Sequence, residues 1–435
     1  MLEMRGWKKS LSKLATAVAL AVALGMGATL PAAAAGDPIV GGTVTDPVRV
    51  AATKSLVMPK NTPTPTAQFT FTFEKKSLSG ASGSSDLALM PPILDQAVNV
   101  GLSDAGATAG GTKTVNKETP DVLAGLNWTR EGVYVYTVTE TANTYTPHAG
   151  TDYVDVMTYS PASYDISVYV AKDAATGKYY AQAVAAVIVV KDGDEGSVGD
   201  KVDPTPGGDP SVEGDYSAMV FTNTYTKNNG GTRPDPDGAT FALAKTVPGP
   251  YGDTTKFFEF AVTVGNPVTI TDATRVYKAY VMNAAGVVLP GPDNGNTTGV
   301  KPDGSIDFTA DVAKTVYLKS GQRLVFIDTY VGAPVAVHET GTPGYSPSHT
   351  LTFGDTPGGT VSAGKGLPLG FGTPTPVHTG NRENTATFTN TYETITPTGI
   401  SVDNLPYVVL IALGSVTLVG LGLARTRRRT KVTAR

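Results

Sequence analysis

The chain consists largely of short runs in which apolar and polar residues alternate. In "QFTFTFEK" (68–75) the side chains of Phe69, Phe71 and Phe73 fall on one face of an extended strand. Similar runs occur in "VYVYTVTE" (133–140), "YDISVYVA" (164–171), "YYAQAVAAVIVV" (179–190), "FALAKTV" (241–247), "KFFEFAVTV" (256–264) and "LVFIDTYVGAPVAVHE" (324–339). Turn residues separate the runs, and the sequence has no long helical period. This pattern predicts an all-β fold made of β-sandwiches.

The order of these runs repeats once along the chain. Each half begins with a lysine-bearing strand, continues with a phenylalanine-alternating strand, and closes with "FTNTY" at 221–225 and 388–392. The Gly-, Asn- and Pro-rich stretch between the halves is typical of a linker. We therefore predict an irregular lead (36–47), a first domain (48–226), a linker (227–238) and a second domain (239–394).

The N-terminus has the features of a secretory signal. Basic residues from Arg5 to Lys13 precede an apolar run (14–30), and "PAAAAG" offers a cleavage site after Ala35. Small residues follow the apolar run, which favours a signal peptide (1–35) over a membrane anchor. We therefore expect a secreted mature protein.

The C-terminus has the features of an anchor. Residues 407–424 form an uncharged apolar run that is long enough to cross a bilayer as a transmembrane helix. The basic "RTRRRTK" follows at once, and the positive-inside rule keeps such a cluster in the cytoplasm. We expect the precursor to contact the membrane only through this span.

The segment "ITPTG" (395–399) lies just ahead of the span. This motif, the span and the basic tail (395–435) together resemble a Gram-positive sortase signal. They are closer to the Val-Pro-Thr-Gly ending of some pilin subunits than to the usual Leu-Pro-any-Thr-Gly. The resemblance implies processing at Pro397, Thr398 and Gly399, with the carbonyl of Thr398 passed to an amine. A plain single-pass membrane protein is the alternative.

Composition removes several classes of function. The chain has 435 residues, a net charge of −4 and no cysteine, which excludes disulfides, thiolate metal sites and cysteine nucleophiles. The mild acidity gives no reason to expect nucleic-acid binding. The four histidines are scattered, and G-x-S-x-G, H-E-x-x-H and P-loop motifs are absent. We therefore predict no turnover enzyme, no cofactor and no metal site.

The acidic stretch 192–215 lacks apolar periodicity and is rich in Gly and Pro, which predicts a solvated loop. Its carboxylates lack the ligand spacing of an EF-hand, so calcium binding is the weaker alternative.

Strand alternation predicts that each half turns a lysine and a glutamate toward its core. Lys54 shares a face with Leu56, and Lys245 shares a face with Leu243. Glu140 follows alternating Tyr and Val residues, and Glu339 follows alternating Val residues. Burial makes an ammonium group shed its proton and raises the pKa of a carboxyl group.

The asparagine of each "FTNTY" lies between two aromatic residues on the same strand face. Asn is depleted in strands, and a buried amide needs a partner, so Asn223 and Asn390 call for an explanation. We expect each Asn to meet the Lys and the Glu of its own half. Lys60, Lys75, Lys76 and Lys256 remain alternatives by position alone.

Such a trio can form an isopeptide bond. A neutral lysine amine attacks the amide carbon, a protonated Glu hydrogen-bonds the amide carbonyl and carries the proton to the leaving group, and ammonia departs. Enforced contact makes this otherwise poor reaction feasible. The predicted bonds are Lys54–Asn223, with Glu140 as the catalytic residue, and Lys245–Asn390, with Glu339 in the same role.

These residues resemble the isopeptide-linked domain of Gram-positive pilus backbone subunits. The segment 321–345 is also similar to the Glu-bearing part of collagen-adhesin B-type repeats. The resemblance implies tandem immunoglobulin-like sandwiches in which the bond ties the first strand to the last. It also implies a place in the cell wall or pilus of a Gram-positive bacterium, with sortase, peptidoglycan or neighbouring pilin subunits as partners.

The family resemblance further implies a lysine whose amine joins one subunit to the next. Lys191 is favoured because it ends a strand, and Lys201 and Lys227 are alternatives. We predict a structural pilin or stalk. The alternative is an adhesin that binds a host protein or glycan through loops such as 192–215 or 361–384.

Overall fold

The computed structural model describes residues 39–150, 153–193, 196–209, 212, 215–228, 230, 240–296, 299–354 and 356–392. The predicted signal peptide, the motif at Pro397, Thr398 and Gly399, and the C-terminal span lie outside the described residues. Within the described ranges, no helix is both long enough and apolar enough to cross a membrane. The fold in these ranges is nearly all-β, which confirms the class that the alternation predicts.

The first half contains two sheets. Its elements are β1 (Ile39–Val40), β2 (Thr53–Pro59), β3 (Ala67–Leu78), α1 (Ser84–Ala88), β4 (Gln96–Val100), β5 (Ala107–Ala109), β6 (Thr112–Glu118), β7 (Gly132–Glu140), β8 (Val154–Thr158), β9 (Ser163–Lys172), β10 (Tyr179–Val190), β11 (Lys201–Val202) and β12 (Val220–Asn228). One sheet has the order β1-β10-β9-β7-β3-β4, with β11 also paired to β10. The other has the order β5-β6-β2-β12-β8.

The second half also contains two sheets. Its strands are β13 (Phe241–Thr246), β14 (Phe258–Val264), β15 (Val276–Met282), β16 (Ser305–Thr309), β17 (Lys314–Leu318), β18 (Arg323–Phe326), β19 (Pro334–Glu339), β20 (Tyr345–Phe353), β21 (Thr356–Ser362), β22 (Leu369–Phe371), β23 (Val377–His378) and β24 (Thr385–Tyr392), with a short 3₁₀ helix at Gly291–Asn294. The sheet orders are β16-β15-β18-β13-β24-β20-β21 and β17-β14-β19-β22, with β23 on β19.

The two sheets of each half pack face to face through aromatic side chains. Phe221 of β12 lies 4.9 Å, ring centre to ring centre, from Phe71 of the opposite sheet. In the second half Phe388 of β24 lies 5.3 Å from Phe260. All four rings are fully buried. The first aromatic residue of each "FTNTY" therefore closes a sandwich core against the phenylalanine-alternating strand.

The first long strand and the last strand of each half are parallel neighbours. In the β2–β12 ladder Lys54 is opposite Phe221, and in the β13–β24 ladder Lys245 is opposite Phe388. The registers of the two halves are therefore the same. Because residues two apart share a face, the asparagine of each "FTNTY" follows on the side of the sheet that faces the core.

Two segments that the sequence predicts as loops are partly built into the sheets. Within 192–215, β11 pairs with β10, and the carbonyl of Pro204 accepts the Ala51 N–H at 2.9 Å. Within 361–384, β22 and β23 both pair with β19. The loop prediction is wrong for these stretches because backbone pairing, which composition does not reveal, holds them.

Pairing also extends into the predicted lead and linker. Ile39–Val40, in the lead, pairs with β10. Strand β12 continues to Asn228, two residues into the predicted linker.

The two halves contact each other directly. Asn61 Nδ2 donates to the carbonyls of His378 and Thr379, at 3.2 Å in each case. The Val331 N–H donates to the Lys227 carbonyl at 2.8 Å. These bonds join a turn of the first half and the end of β12 to the near end of the second half.

Candidate functional site

In the first half Lys54, Glu140 and Asn223 meet inside the sandwich. Lys54 Nζ donates to Glu140 Oε2 at 2.9 Å and to the Phe221 carbonyl at 2.8 Å. Asn223 Nδ2 donates to Glu140 Oε1 at 2.7 Å. The side chains of Lys54 and Glu140 are fully buried, and so is Asn223. The carboxylate therefore bridges the amine and the amide in a site closed to water.

The orientation of the Asn223 amide differs from the sequence expectation. Its nitrogen, rather than its carbonyl oxygen, faces Glu140. Its Oδ1 instead accepts the Ser160 backbone N–H at 2.7 Å. Because an N–H can only donate, this contact fixes which end of the amide is the oxygen.

Asp192 is a neighbour of this site that sequence analysis missed. Its Oδ2 accepts the Thr222 N–H at 2.9 Å and also the Ser160 hydroxyl. Asp192 comes two residues after the end of β10, at the start of the acidic stretch. Sequence analysis could not single out Asp192 among the clustered acidic residues, because composition alone does not show which carboxylate points toward the sheet.

The second half repeats the arrangement with Lys245, Glu339 and Asn390. Lys245 Nζ and Asn390 Nδ2 both donate to Glu339 Oε1, at 2.8 Å and 2.7 Å. All three residues are almost fully buried. Within the described ranges, Glu339 Oε2 and Asn390 Oδ1 have no hydrogen-bond partner. The second site is therefore less fully bonded than the first.

Aromatic rings line both lysines. Lys54 Nζ lies 4.7 Å from the centre of the Phe69 ring. Lys245 Nζ lies 4.3 Å from the centre of the Phe258 ring and 5.7 Å from that of Phe260. The phenylalanine-alternating strand thus provides the apolar wall of each site, which desolvates the amine while its ring faces still attract a cation.

Burial changes the proton affinity of each pair. It lowers the pKa of Lys54 to about 8, against the opposing charge of Glu140, and it lowers the pKa of Lys245 to about 8, against that of Glu339. Burial raises the pKa of both glutamates above the ordinary value, while the adjacent lysines oppose that shift. The two opposite shifts bring the neutral pair, amine with carboxylic acid, closer in free energy to the ion pair.

The competing lysines lie elsewhere. Lys75 Nζ donates to the Leu87 carbonyl, and Lys76 pairs with Asp165. Lys256 is exposed before β14, and Lys60 lies in the turn that contacts the second half.

The three candidates for a lysine that joins subunits have different surroundings. Lys191 is exposed directly after β10. Lys201 is half-buried in β11. Lys227 Nζ donates to Asn381 Oδ1 at 2.8 Å and lies 4.1 Å from the centre of the Tyr153 ring. Of the three, Lys191 is the most accessible.

No group of three or more His, Asp or Glu side chains is arranged to hold a metal ion anywhere in the described ranges. The described part of the acidic stretch therefore contains no group of side chains that could hold a metal ion. Its first carboxylate, that of Asp192, instead accepts hydrogen bonds from Ser160 and Thr222.

Two family models match the chain. Residues 50–226 match the family described as "Spy0128-like isopeptide containing domain". Residues 239–392 match a family described as "Domain of unknown function (DUF7601)". No curated protein sequence matches the chain.

Solved structures of pilus proteins are similar to the chain. The major pilin from Streptococcus pyogenes has 19% identity and a TM-score of 0.30, with 81% of this chain and 99% of that chain covered. A second major pilin from the same organism has 16% identity, a TM-score of 0.28, and 79% and 98% coverage. A pilus-presented adhesin has 11% identity, a TM-score of 0.23, and 79% and 100% coverage. Over residues 50–226, the chain therefore contains a domain of the family described as Spy0128-like isopeptide containing domain.

Proposed function

We propose that the protein is a structural pilus subunit or stalk whose two domains are each cross-linked by an autocatalytic Lys–Asn isopeptide bond. One observation carries the proposal. Both halves bury a lysine, a glutamate and an asparagine in hydrogen-bond contact, with the lysine on the first long strand and the asparagine on the last strand, parallel to it. Two independent sites with one geometry are hard to explain as packing, because each buries an ammonium group at a cost of several kcal/mol.

In the first domain the reaction begins with proton transfer from Lys54 to Glu140. Neutral Lys54 Nζ then attacks Asn223 Cγ, and the electrons of the carbonyl move to Oδ1. As the carbonyl re-forms, the Cγ–Nδ2 bond breaks. Glu140, which contacts both nitrogens, takes the proton released by Nζ and supplies one to Nδ2. Ammonia leaves, and a neutral amide joins the two strands.

Lys245, Glu339 and Asn390 perform the same steps in the second domain. The contacts of Glu339 Oε1 with both nitrogens support a direct proton relay there. In both domains burial favours the product, since an ion pair in a dry core becomes an uncharged amide that needs fewer partners.

The bonds suit a protein that carries load along its length. We infer tandem immunoglobulin-like domains over 48–226 and 239–394. In each of them the bond connects the strand by which the chain enters to the strand by which it leaves. A pulling force then passes through the cross-link and bypasses the sheets. With no cysteine in the chain, an isopeptide bond takes the place that a disulfide has in other secreted domains.

We further infer a wall-anchored location. The ends of the precursor support export, followed by sortase cleavage between Thr398 and Gly399 and transfer of Thr398 to peptidoglycan or to a neighbouring subunit. Lys191 is the favoured acceptor on a neighbour because its amine is exposed, whereas the amine of Lys227 is engaged.

The intact mass of recombinant residues 36–398 tests the chemistry. The wild-type chain is expected to be lighter than its sequence mass by two molecules of ammonia. Glu140→Ala and Glu339→Ala are each expected to restore one, and peptide mapping should locate the remaining bond in the unaltered domain. A wild-type chain of unshifted mass would refute the mechanism.

A further inference from the structure

The first site holds the amide oxygen of its asparagine, and the second does not. Ser160 N–H donates to Asn223 Oδ1 at 2.7 Å. Within the described ranges, Asn390 Oδ1 has no such donor. The two sites therefore differ at the atom on which negative charge develops when an amine attacks an amide.

Strand pairing explains the difference. The β8–β12 ladder ends at the Thr158–Thr224 pair, so the next N–H groups on both strands are available to side chains. The Ser160 N–H goes to Asn223, and the Thr222 N–H goes to Asp192.

In the second domain the equivalent β20–β24 ladder continues past the asparagine. Asn390 is opposite Pro347, and pairing continues beyond it to Thr352 and Thr385. Pro347 has no N–H to offer, and the neighbouring backbone groups are used by the ladder.

Asp192 anchors the donor of the first domain. One oxygen, Oδ2, accepts both the Ser160 hydroxyl and the Thr222 N–H. Ser160 Oγ in turn accepts the Ala162 N–H at 3.1 Å, and Ser160 itself is buried. The carboxylate thus ties the turn that carries the donor to the strand that carries Asn223.

We propose that the Ser160 N–H is an oxyanion donor for the first-domain reaction and that Asp192 is the positioning residue that aims it. This inference rests on the proposed isopeptide chemistry. When Lys54 Nζ bonds to Asn223 Cγ, the carbonyl electrons move to Oδ1 and strengthen the bond from Ser160. They return as the Cγ–Nδ2 bond breaks and ammonia leaves. A preorganised donor of this kind contributes about 10²-fold to 10³-fold to acyl-transfer rates.

The test compares both bonds in one chain. Residues 36–398 are made by brief cell-free synthesis, quenched in denaturant at intervals and digested. The Lys54–Asn223 and Lys245–Asn390 peptides are then quantified by mass spectrometry. Asp192→Ala is expected to slow the first bond by about tenfold or more, since the donor remains but is no longer held. The second bond is the internal control and should keep its wild-type rate.

Two further variants distinguish the positioning of the Ser160 N–H from the negative charge of Asp192 and from an effect on folding. Asp192→Asn keeps an acceptor oxygen for both donors and is expected to restore most of the rate. Ser160→Ala keeps the N–H but loses the anchored hydroxyl, so it should slow the first bond without abolishing it. Asp200→Ala, which removes another carboxylate of the acidic stretch, one that accepts the Ser197 N–H, should have no effect.

The outcomes are distinct. An unchanged first-bond rate in Asp192→Ala, or an Asp192→Asn variant as slow as Asp192→Ala, overturns the positioning role. Absence of both cross-linked peptides from the wild-type chain overturns the isopeptide chemistry itself. Amide exchange of β7 and β9 in Asp192→Ala shows whether the first domain is folded. If the first domain of Asp192→Ala is unfolded, the first-bond rates of Asp192→Asn and Ser160→Ala decide whether Asp192 positions the donor.

Discussion

At the scale of single residues, each half contains a lysine whose side chain is shielded from solvent, and this lysine is the strongest indication of the proposed chemistry. Lys54 and Lys245 are among the largest fully buried side chains described. Each has one carboxylate partner, and that partner also contacts the asparagine amide. A buried ion pair usually adds little to stability. Its presence in both cores is therefore better explained by the reaction that removes it.

The proton count of the pair predicts a pH dependence for bond formation. The reactive form, neutral Lys54 with protonated Glu140, holds one proton, as the ion pair does. Its fraction is therefore constant with pH while the pair keeps that proton, and it falls as Lys54 loses its proton above a pKa of about 8. We expect a flat rate between the raised pKa of Glu140 and about pH 8, where the pair holds one proton, and a decline approaching tenfold per pH unit above it.

The measurement uses freshly synthesised chains diluted into buffers across this range, with the Lys54–Asn223 peptide quantified over time. Total amide exchange at each pH shows that the chain stays folded. A rate that instead rises through pH 8 would mean that the free amine alone is reactive and that Glu140 supplies no proton.

At the scale of elements, the parallel pairing of the first and last strands makes the cross-link possible. Parallel strands need long crossover connections. Here the connection between the two parallel strands consists of all the other strands of the same domain. Lys54 and Asn223 are 169 positions apart (223 − 54), so a covalent bond between β2 and β12 closes a large loop. Such a link restricts the unfolded chain more strongly than any contact within one hairpin.

Asn223→Ala should therefore lower the free energy of unfolding of the first domain by about 5 kcal/mol, the chain-entropy value for a loop of this length. Urea denaturation followed by amide exchange of β7 and β9 measures the change. Thr224→Ala, on the next position of the same strand, is the matched control. It leaves the bond intact and should cost less than about 1 kcal/mol. Equal losses in the two variants would argue against a covalent link.

At the scale of the whole molecule, the two proposed cross-links and the contact between the two halves would act in series. The bonds are expected to hold residues 54–223 and 245–390 against extension. The hydrogen bonds from Asn61 and to the Lys227 carbonyl join one domain to the next. The exported part is therefore expected to behave as a short, stiff element of a fibre.

Single-molecule pulling from both ends distinguishes linked from unlinked domains. The wild-type chain should show no long unfolding step. Glu140→Ala should release the 169-position loop, roughly 600 Å of extended chain, in one step. Glu339→Ala should release 145 positions (390 − 245), roughly 500 Å. Long steps in the wild-type chain would show that force does not pass through the bonds.

The contact between the domains has its own test at Gly332. This residue has a positive φ of 79°, and a Cβ there would lie 2.5 Å from the Lys60 carbonyl oxygen. Gly332→Ala should force the turn of the first domain away and speed amide exchange at Val331, whose N–H crosses the contact. Gly249→Ala is the control, because it has a positive φ of 90° but open space around it. It carries a similar backbone penalty of about 1 to 2 kcal/mol and should leave Val331 protected.

The sequence by itself determined the β class, the repeated order of the strand-like runs and the residues that meet in each core. Alternation places Lys54, Glu140 and Asn223 on apolar strand faces, and the repeated "FTNTY" marks the same strand twice. These features can be read from the local sequence, since successive side chains in a strand point to opposite faces of the sheet. Short, mixed runs such as β5, β8 and β22 carry no comparable signal, and their pairing depends on neighbours distant in the chain.

Only the tertiary structure decided the details that distinguish the two sites. Which end of the Asn223 amide faces Glu140 depends on Ser160, and Ser160 depends on where the β8–β12 ladder stops. Asp192 enters the first site from a stretch whose composition predicts only a solvated loop. These contacts join residues far apart in sequence, and a periodic pattern holds no information about where two strands cease to pair.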